Sequence, residues 1–333
     1  MTAERTKRDT MSQLITRRRG LAIAGMAALV RPALAQSAFP SRPIRLIVPW
    51  LPSAAADIQL RSLAQVATRL LGQSVVIENR AGASGILGAQ AVANEPRGDG
   101  YLLTQLHASA FRVPFMMTKP PYDVLTDFTP VLQLVGYSYG MVVRADAPWK
   151  SWQEFAADAK ARPGKITFGT AGVGTTQHIT MEAIAQRLGL DWVHVPFRGG
   201  GDDVQALLGG QLDAVASSTL WAEMVRAGQL RLLVCFGPQR IKRFPEAPTL
   251  RDCGIDIAQS SPYGLVGPRG IDPGIVRVLH DAFRIALNDP EHLAVIERLD
   301  MPVAYLDTAA YAASIPQTQA EQGAIVRSLG LKM

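Results

Sequence analysis

Short runs of Val, Ile and Leu alternate along most of this chain with stretches in which apolar residues recur at helical spacing. This is the pattern of an α/β protein built around parallel sheets. The first unit is the clearest. Ile44 to Val48 (IRLIV) predicts a buried strand, Pro49 to Ala56 a loop, and Asp57 to Leu71 a helix with Ile58, Leu60, Leu63, Val66 and Leu70 on its apolar positions. Strand Ser74 to Glu78, the glycine-bearing loop Gly82 to Gly85, a helix through Ala93 and strand Tyr101 to Gln105 complete a βαβαβ half.

A second series starts near Gly140, with a strand at Met141 to Val143 and a helix at Trp152 to Ala161. It continues with strand Ile166 to Gly169, helix Gln177 to Leu188, strand Trp192 to Val195 and helix Asp202 to Leu208. Strand Ala214 to Ser217, helix Leu220 to Ala227 and strand Arg231 to Phe236 close it. The segment Ser260 to Gly267 reads as a crossing back to the first half, followed by helices at Pro273 to Asn288, Pro290 to Leu299 and Thr308 to Leu329 that pack there. The expected division is residues 36–139 with 262–333 as one domain and 140–261 as the other. Two crossings between two such domains leave a cleft suited to hinge closure on a ligand.

The front of the chain has a different grammar. Arg17-Arg18-Arg19, the apolar run Leu21 to Val30 and then Ala33-Leu34-Ala35 predict a cleaved export signal over residues 1–35. Thr16 to Leu21 also resembles a twin-arginine motif, with Gly20 in place of a bulky apolar residue, so either export route fits. Met11 is an alternative start. The signal holds seven basic and two acidic groups, so the formal +6 of the whole chain falls to about +1 without it, and nucleic-acid binding loses its support. No later apolar run is long enough to span a bilayer. What remains, roughly 300 residues, suffices for two modest cores.

Four loops of small residues lie where strands lead into helices: Pro52 to Asp57, Gly82 to Gly85, Thr170 to Thr176 and Arg198 to Gly201. In α/β sheets ligands sit beyond the carboxyl ends of strands, where helix N-termini present unpaired N–H groups to anions. The candidate ligand contacts from these loops are Trp50, Ser53, Ala54, Ala55, Ala56, Asp57, Ser84, Gly85, Ala171, Gly174, Thr175 and Thr176. Ser217 and Ser218, just after a strand, add hydroxyls. Asp57 serves better as a cap on its helix than as a ligand contact. Trp50 offers either a flat wall or a core ring. His178 and His194 fit structural roles better than ligand contacts, and Arg198 is either a cleft charge or a solvated side chain.

The segments Pro43 to Trp50, Val76 to Gly82, Asp99 to Tyr101, Asp127 to Val131, Ala161 to Lys165, Gly172 to Thr175, Val193 to Gly199 and Leu208 to Asp213 occur in an order and spacing that resembles the Bug family. These are the extracytoplasmic solute receptors of tripartite tricarboxylate transporters, and the resemblance covers the chain after the signal. It implies a type II-like periplasmic binding protein of two α/β domains, a monomer whose ligand is a small carboxylate and whose partners are membrane permease subunits. It also implies that backbone N–H groups and bridging waters hold the carboxylate, without an arginine clamp. The chain departs from the family at Ser53-Ala54-Ala55-Ala56, where a glycine run is usual. An alanine there is strained if its φ is positive, and three added methyls would favour a smaller or more apolar acid.

Other functions remain open at this point. The same scaffold would serve a ligand sensor for a membrane histidine kinase. A hydrolase would need a pair assembled from distant residues, such as Ser84 with His107 or His178, since no nucleophile elbow, metalloprotease helix or phosphate loop is present. No catalytic residues, cofactor or metal are expected: the five histidines are scattered, and Cys235 and Cys253 are too few for a metal set. Those cysteines read as separately buried or as a disulfide.

Overall fold

The computed structural model describes residues 39–199 and 201–332. The proposed signal and Gly200 lie outside the described residues. In chain order the elements are β1 (Ile44–Val48), α1 (Ala55–Leu71), β2 (Val75–Asn79), α2 (Ile86–Ala93), β3 (Leu102–Leu106), α3 (Ala108–Arg112), β4 (Phe128–Tyr137) and β5 (Tyr139–Arg144). There follow α4 (Trp152–Ala161), β6 (Thr167–Thr170), α5 (Thr176–Leu188), β7 (Val193–Pro196), α6 (Asp202–Leu208), β8 (Ala214–Ser218), α7 (Ala222–Arg226) and β9 (Leu230–Cys235). The chain ends with β10 (Ser261–Pro268), α8 (Pro273–Leu287), α9 (Pro290–Arg298), β11 (Val303–Leu306) and α10 (Thr308–Leu329).

The strands form two sheets, one in each lobe: β11-β4-β10-β3-β1-β2 and β7-β6-β8-β5-β9. Each sheet has the expected parallel core together with antiparallel strands. β2, β1 and β3 are parallel, as are β7, β6 and β8, but β10 runs antiparallel to both β3 and β4, and β5 to both β8 and β9. β11 is also antiparallel to β4, and β10 and β5 are the strands the chain enters on arriving from the other sheet. Ser260 to Gly267 is therefore no mere crossing, since β10 sits inside the first sheet with Leu265 and Val266 fully buried. β4, β11 and α3 have no counterpart among the elements expected from the sequence. Pro130, Gly136 and Pro302 break the apolar runs that would have announced the two strands.

β1 buries Ile44, Leu46, Ile47 and Val48, and only Arg45, which pairs with Glu78, is exposed. α1 packs Leu60, Leu63, Val66 and Ala67 inward and stops at Gly72, whose φ of 65° lets its N–H bond the Thr68 carbonyl. α8 and α9 pack on α1, and α10 on β4 and α3. The second lobe is centred on Trp149, Trp152, Phe155, Phe168 and Trp192, with Phe155 edge-on to Trp149 at 5.1 Å and Phe168 edge-on to Trp192 at 5.5 Å. α10 continues through Pro316. The helix expected over Leu220 to Ala227 is instead a 3-10 turn, Thr219–Trp221, followed by the short α7. Cys235 and Cys253 are both free thiols. Among the described residues no helix is long and apolar enough to cross a membrane.

Candidate functional site

The loops after β1 and β6 bring two helix N-termini to one cavity. α1 begins at Ala55, two residues earlier than its sequence suggested, and α5 begins at Thr176. The leading N–H groups of each helix have no carbonyl one turn back within it, and they carry the positive end of its dipole. Ala54, Ala55 and Ala56 line the cavity from the first lobe, and Ala171, Thr175 and Thr176 from the second. Room for the centres of water-sized molecules amounts to about 40 Å³, enough for a few waters or a small ligand.

The alanine run proves unstrained. Ala54 is extended, with φ −63°, and Ala55 and Ala56 are helical; the left-handed residue is Ser53, at φ 68°. Asp57 stabilises that turn. Its buried carboxylate accepts from the Ser53 N–H at 2.9 Å, from Asn79 Nδ2 at 2.7 Å and from Arg61 Nε at 3.0 Å. Burial alone would raise its pKa, but these partners outweigh it and hold the carboxyl below its ordinary range. Asp57 thus works from the first turn of α1 back onto the loop, rather than as the N-cap residue. Ser53 is exposed and Asp57 is turned away, so neither lines the cavity.

Neither Ser84 nor Gly174 lines the cavity. Ser84 Oγ donates to the Val173 carbonyl at 2.5 Å, so it is not hydrogen-bonded to either histidine weighed as its base. The Gly174 N–H donates to His178 Nδ1 at 3.2 Å, and its carbonyl accepts from Arg112 Nη1 at 2.8 Å. Gly85 lies beneath the aromatic wall: at φ 88°, a Cβ there would come within 2.5 Å of His107 Nε2 and 3.2 Å of Trp50 Cη2. The His178 and His194 rings lie 4.1 Å apart, tilted by 39°, and burial depresses them to about 3 and about 4, so both are neutral near pH 7.

Trp50, Ser217 and Ser218 do line the cavity. Several other lining residues had no local signal in the sequence. Tyr137 and Tyr139 flank the single residue that joins β4 to β5, with their rings stacked at 5.5 Å. His107 lies 4.9 Å from the Trp50 ring, and burial pushes it down to about 4. Ser109 enters from α3, which the sequence pattern did not predict, and Ser261 from β10, which reads there as a crossing. Gly199 and Gly201 belong to the small-residue loop after β7, and a Cβ on Gly199 would lie 3.3 Å from Trp50 Cε3.

The lining contains eight hydroxyl side chains and no Asp, Glu, Lys or Arg. Such a surface binds by neutral donors and helix ends. Among the described residues no cluster of His, Cys, Asp or Glu is suited to a metal ion.

The family model described as the tripartite tricarboxylate transporter family receptor matches residues 59–331. The UPF0065 protein in gbd 5'region of Cupriavidus necator is 44% identical over 308 residues, covering 92% of this chain and 93% of that protein. The solved structure of the periplasmic binding protein BugD matches with a TM-score of 0.83 at 26% identity, over 88% of this chain and 99% of that one. MatC from Rhodopseudomonas palustris, solved with bound malate, matches with a TM-score of 0.80 at 27% identity, over 86% of this chain and 100% of that one.

Proposed function

The chain belongs to the tripartite tricarboxylate transporter receptor family, whose members are periplasmic solute-binding receptors, and on that premise we propose that it captures a small carboxylate and delivers it to membrane permease subunits. One observation carries the reading: the N-termini of α1 and α5, one from each lobe, open on a cavity that no charged side chain lines. A carboxylate there is met by backbone N–H groups and two helix dipoles. Hydroxyls from Ser109, Thr175, Thr176, Ser217 and Ser218 supply further donors at little desolvation cost. The malate held by MatC supports an acid of this size class.

Ligand contacts fall to Trp50, Ala54 to Ala56, Ala171, Thr175, Thr176, Ser217 and Ser218, together with Tyr137 and Tyr139. A ligand held by both lobes shifts the population toward the closed arrangement by its difference in affinity for closed and open forms. The precursor is exported by its N-terminal signal, and the receptor acts as a monomer. A thermal-shift screen over mono-, di- and tricarboxylates, amino acids and neutral analogues tests the reading, because a ligand bound only by the folded state raises the melting temperature. A shift with an acid and none with its amide is expected. A shift by neutral compounds alone would reject the carboxylate.

A further inference from the structure

A guanidinium removed from water without an acid beside it is costly unless something else balances its charge. Arg112, at the end of α3, is 1% exposed. All its hydrogen bonds go to neutral acceptors. Nη1 donates to the Gly174 carbonyl at 2.8 Å, and Nε donates to Gln322 Oε1 at 2.9 Å, with Nη2 on the same oxygen. Among the described residues no carboxylate forms an ion pair with it. The buried acids are engaged elsewhere: Asp57 with Arg61, and Asp203 with the Val204 N–H.

Its position adds to the imbalance. Gly174 directly precedes Thr175, the N-cap of α5, so the guanidinium lies at the positive end of that helix, where a cation is disfavoured. The cavity wall is close by. Ser109 on the same short helix lines it, as do His107 and Tyr139, both of which feel the guanidinium's charge. Burial lowers Arg112 to about 10, which leaves it charged near pH 7.

We propose that Arg112 is a specificity-determining residue that selects anionic over neutral ligands without touching them, its buried charge standing behind the wall that the ligand's carboxylate faces. The proposal rests on the carboxylate reading above. The ligand supplies the negative charge that the protein omits, and the guanidinium acts through the Gly172–Thr175 turn, which it holds by the Gly174 carbonyl.

Gln322→Glu tests this directly, since it gives the guanidinium an acid of its own while keeping Arg112 and its bond to Gly174. Calorimetric affinities are measured for succinate, malate, adipate and benzoate and for the matching amides, on wild type, Gln322→Glu, Arg112→Met and Arg112→Lys. Both Gln322→Glu and Arg112→Met are expected to weaken the acids by roughly tenfold and the amides little, with Arg112→Lys restoring most of the acid affinity. The melting temperature of Gln322→Glu measured without added acid should rise. Acid affinity unchanged in Gln322→Glu, or acids and amides weakened alike in Arg112→Met with no recovery in Arg112→Lys, would overturn the proposal and leave the carboxylate reading intact. Wild type that binds amides but no acid would overturn both.

Discussion

The indole Nε1 of Trp50 donates to Oε1 of Gln105 at 3.1 Å, and because an indole can only donate, this bond fixes which way the buried carboxamide faces. Its amide nitrogen must then donate to the Tyr137 hydroxyl, 2.9 Å away. The tyrosine's own proton is thereby left for an acceptor in the cavity that its ring lines. Tyr137→Phe should weaken the tightest-binding acid by about five- to tenfold, the worth of one hydrogen bond, with little change in melting temperature. Calorimetry against wild type checks this, and unaltered affinity would show that the proton points elsewhere.

Asp57 ties together the Ser53 turn, Asn79 and Arg61. Asp57→Ala should cost about 2 kcal/mol near neutral pH and weaken acid binding by loosening the start of α1. Its folded pKa lies below the ordinary 3.8, so its contribution is present above that value and fades as pH falls through the folded pKa. Denaturant titrations of wild type and variant should therefore converge in acid.

Asp203 has the opposite sign. Burial raises its pKa above 3.8, and its Oδ2 has no hydrogen-bond partner among protein atoms. The folded state then holds a proton that the unfolded state has released, so stability falls as pH rises from about 3.8 through the raised pKa. Asp203→Asn should remove that slope and raise the melting temperature at pH 7. A variant less stable than wild type at that pH would contradict the assignment.

Gly85→Ala should cost about 2 kcal/mol or more, because the residue has a left-handed φ and its new methyl would meet the His107 ring. Gly72→Ala is the matched control, with a positive φ but nothing within 4 Å, and should cost about 1 kcal/mol. Only the first should also weaken acid binding, by displacing the His107 and Trp50 rings.

Ala54→Gly with Ala55→Gly removes two methyls from the cavity wall. The ligand range is expected to extend to bulkier acids, with a stability loss of about 1 kcal/mol from the freer backbone. An unchanged ligand profile would mean that these methyls do not set the size limit.

Parts of this architecture were legible in the sequence for definite reasons. β1, α1 and α5 announce themselves through dense or helically spaced apolar residues, and the loops after β1 and β6 through their small residues. β10 was not legible as a sheet strand, because its reversed direction comes from pairing with β3 and β4, which are distant in sequence. Tyr137 and Tyr139 gave no local sign either. Their role depends on the chain changing sheets between them, and alternation along an extended segment sends both rings to the same side. Ser84 sits in a loop expected to meet ligand, yet its hydroxyl donates to the Val173 carbonyl, while Asp57, read chiefly as a cap, binds back onto the Ser53 turn.

The joint between β4 and β5 is one residue long, and Ser138 is anchored by its Oγ to the Asp300 carbonyl at 2.6 Å. Any rotation of one lobe against the other passes through this joint and carries two cavity-lining rings with it. A hinge motion at this joint would therefore change aperture and pocket shape together. In the role proposed above, a ligand that fits badly around Tyr137 and Tyr139 would also set the wrong angle between the lobes, and a permease reading only the outer faces would sense what lies inside.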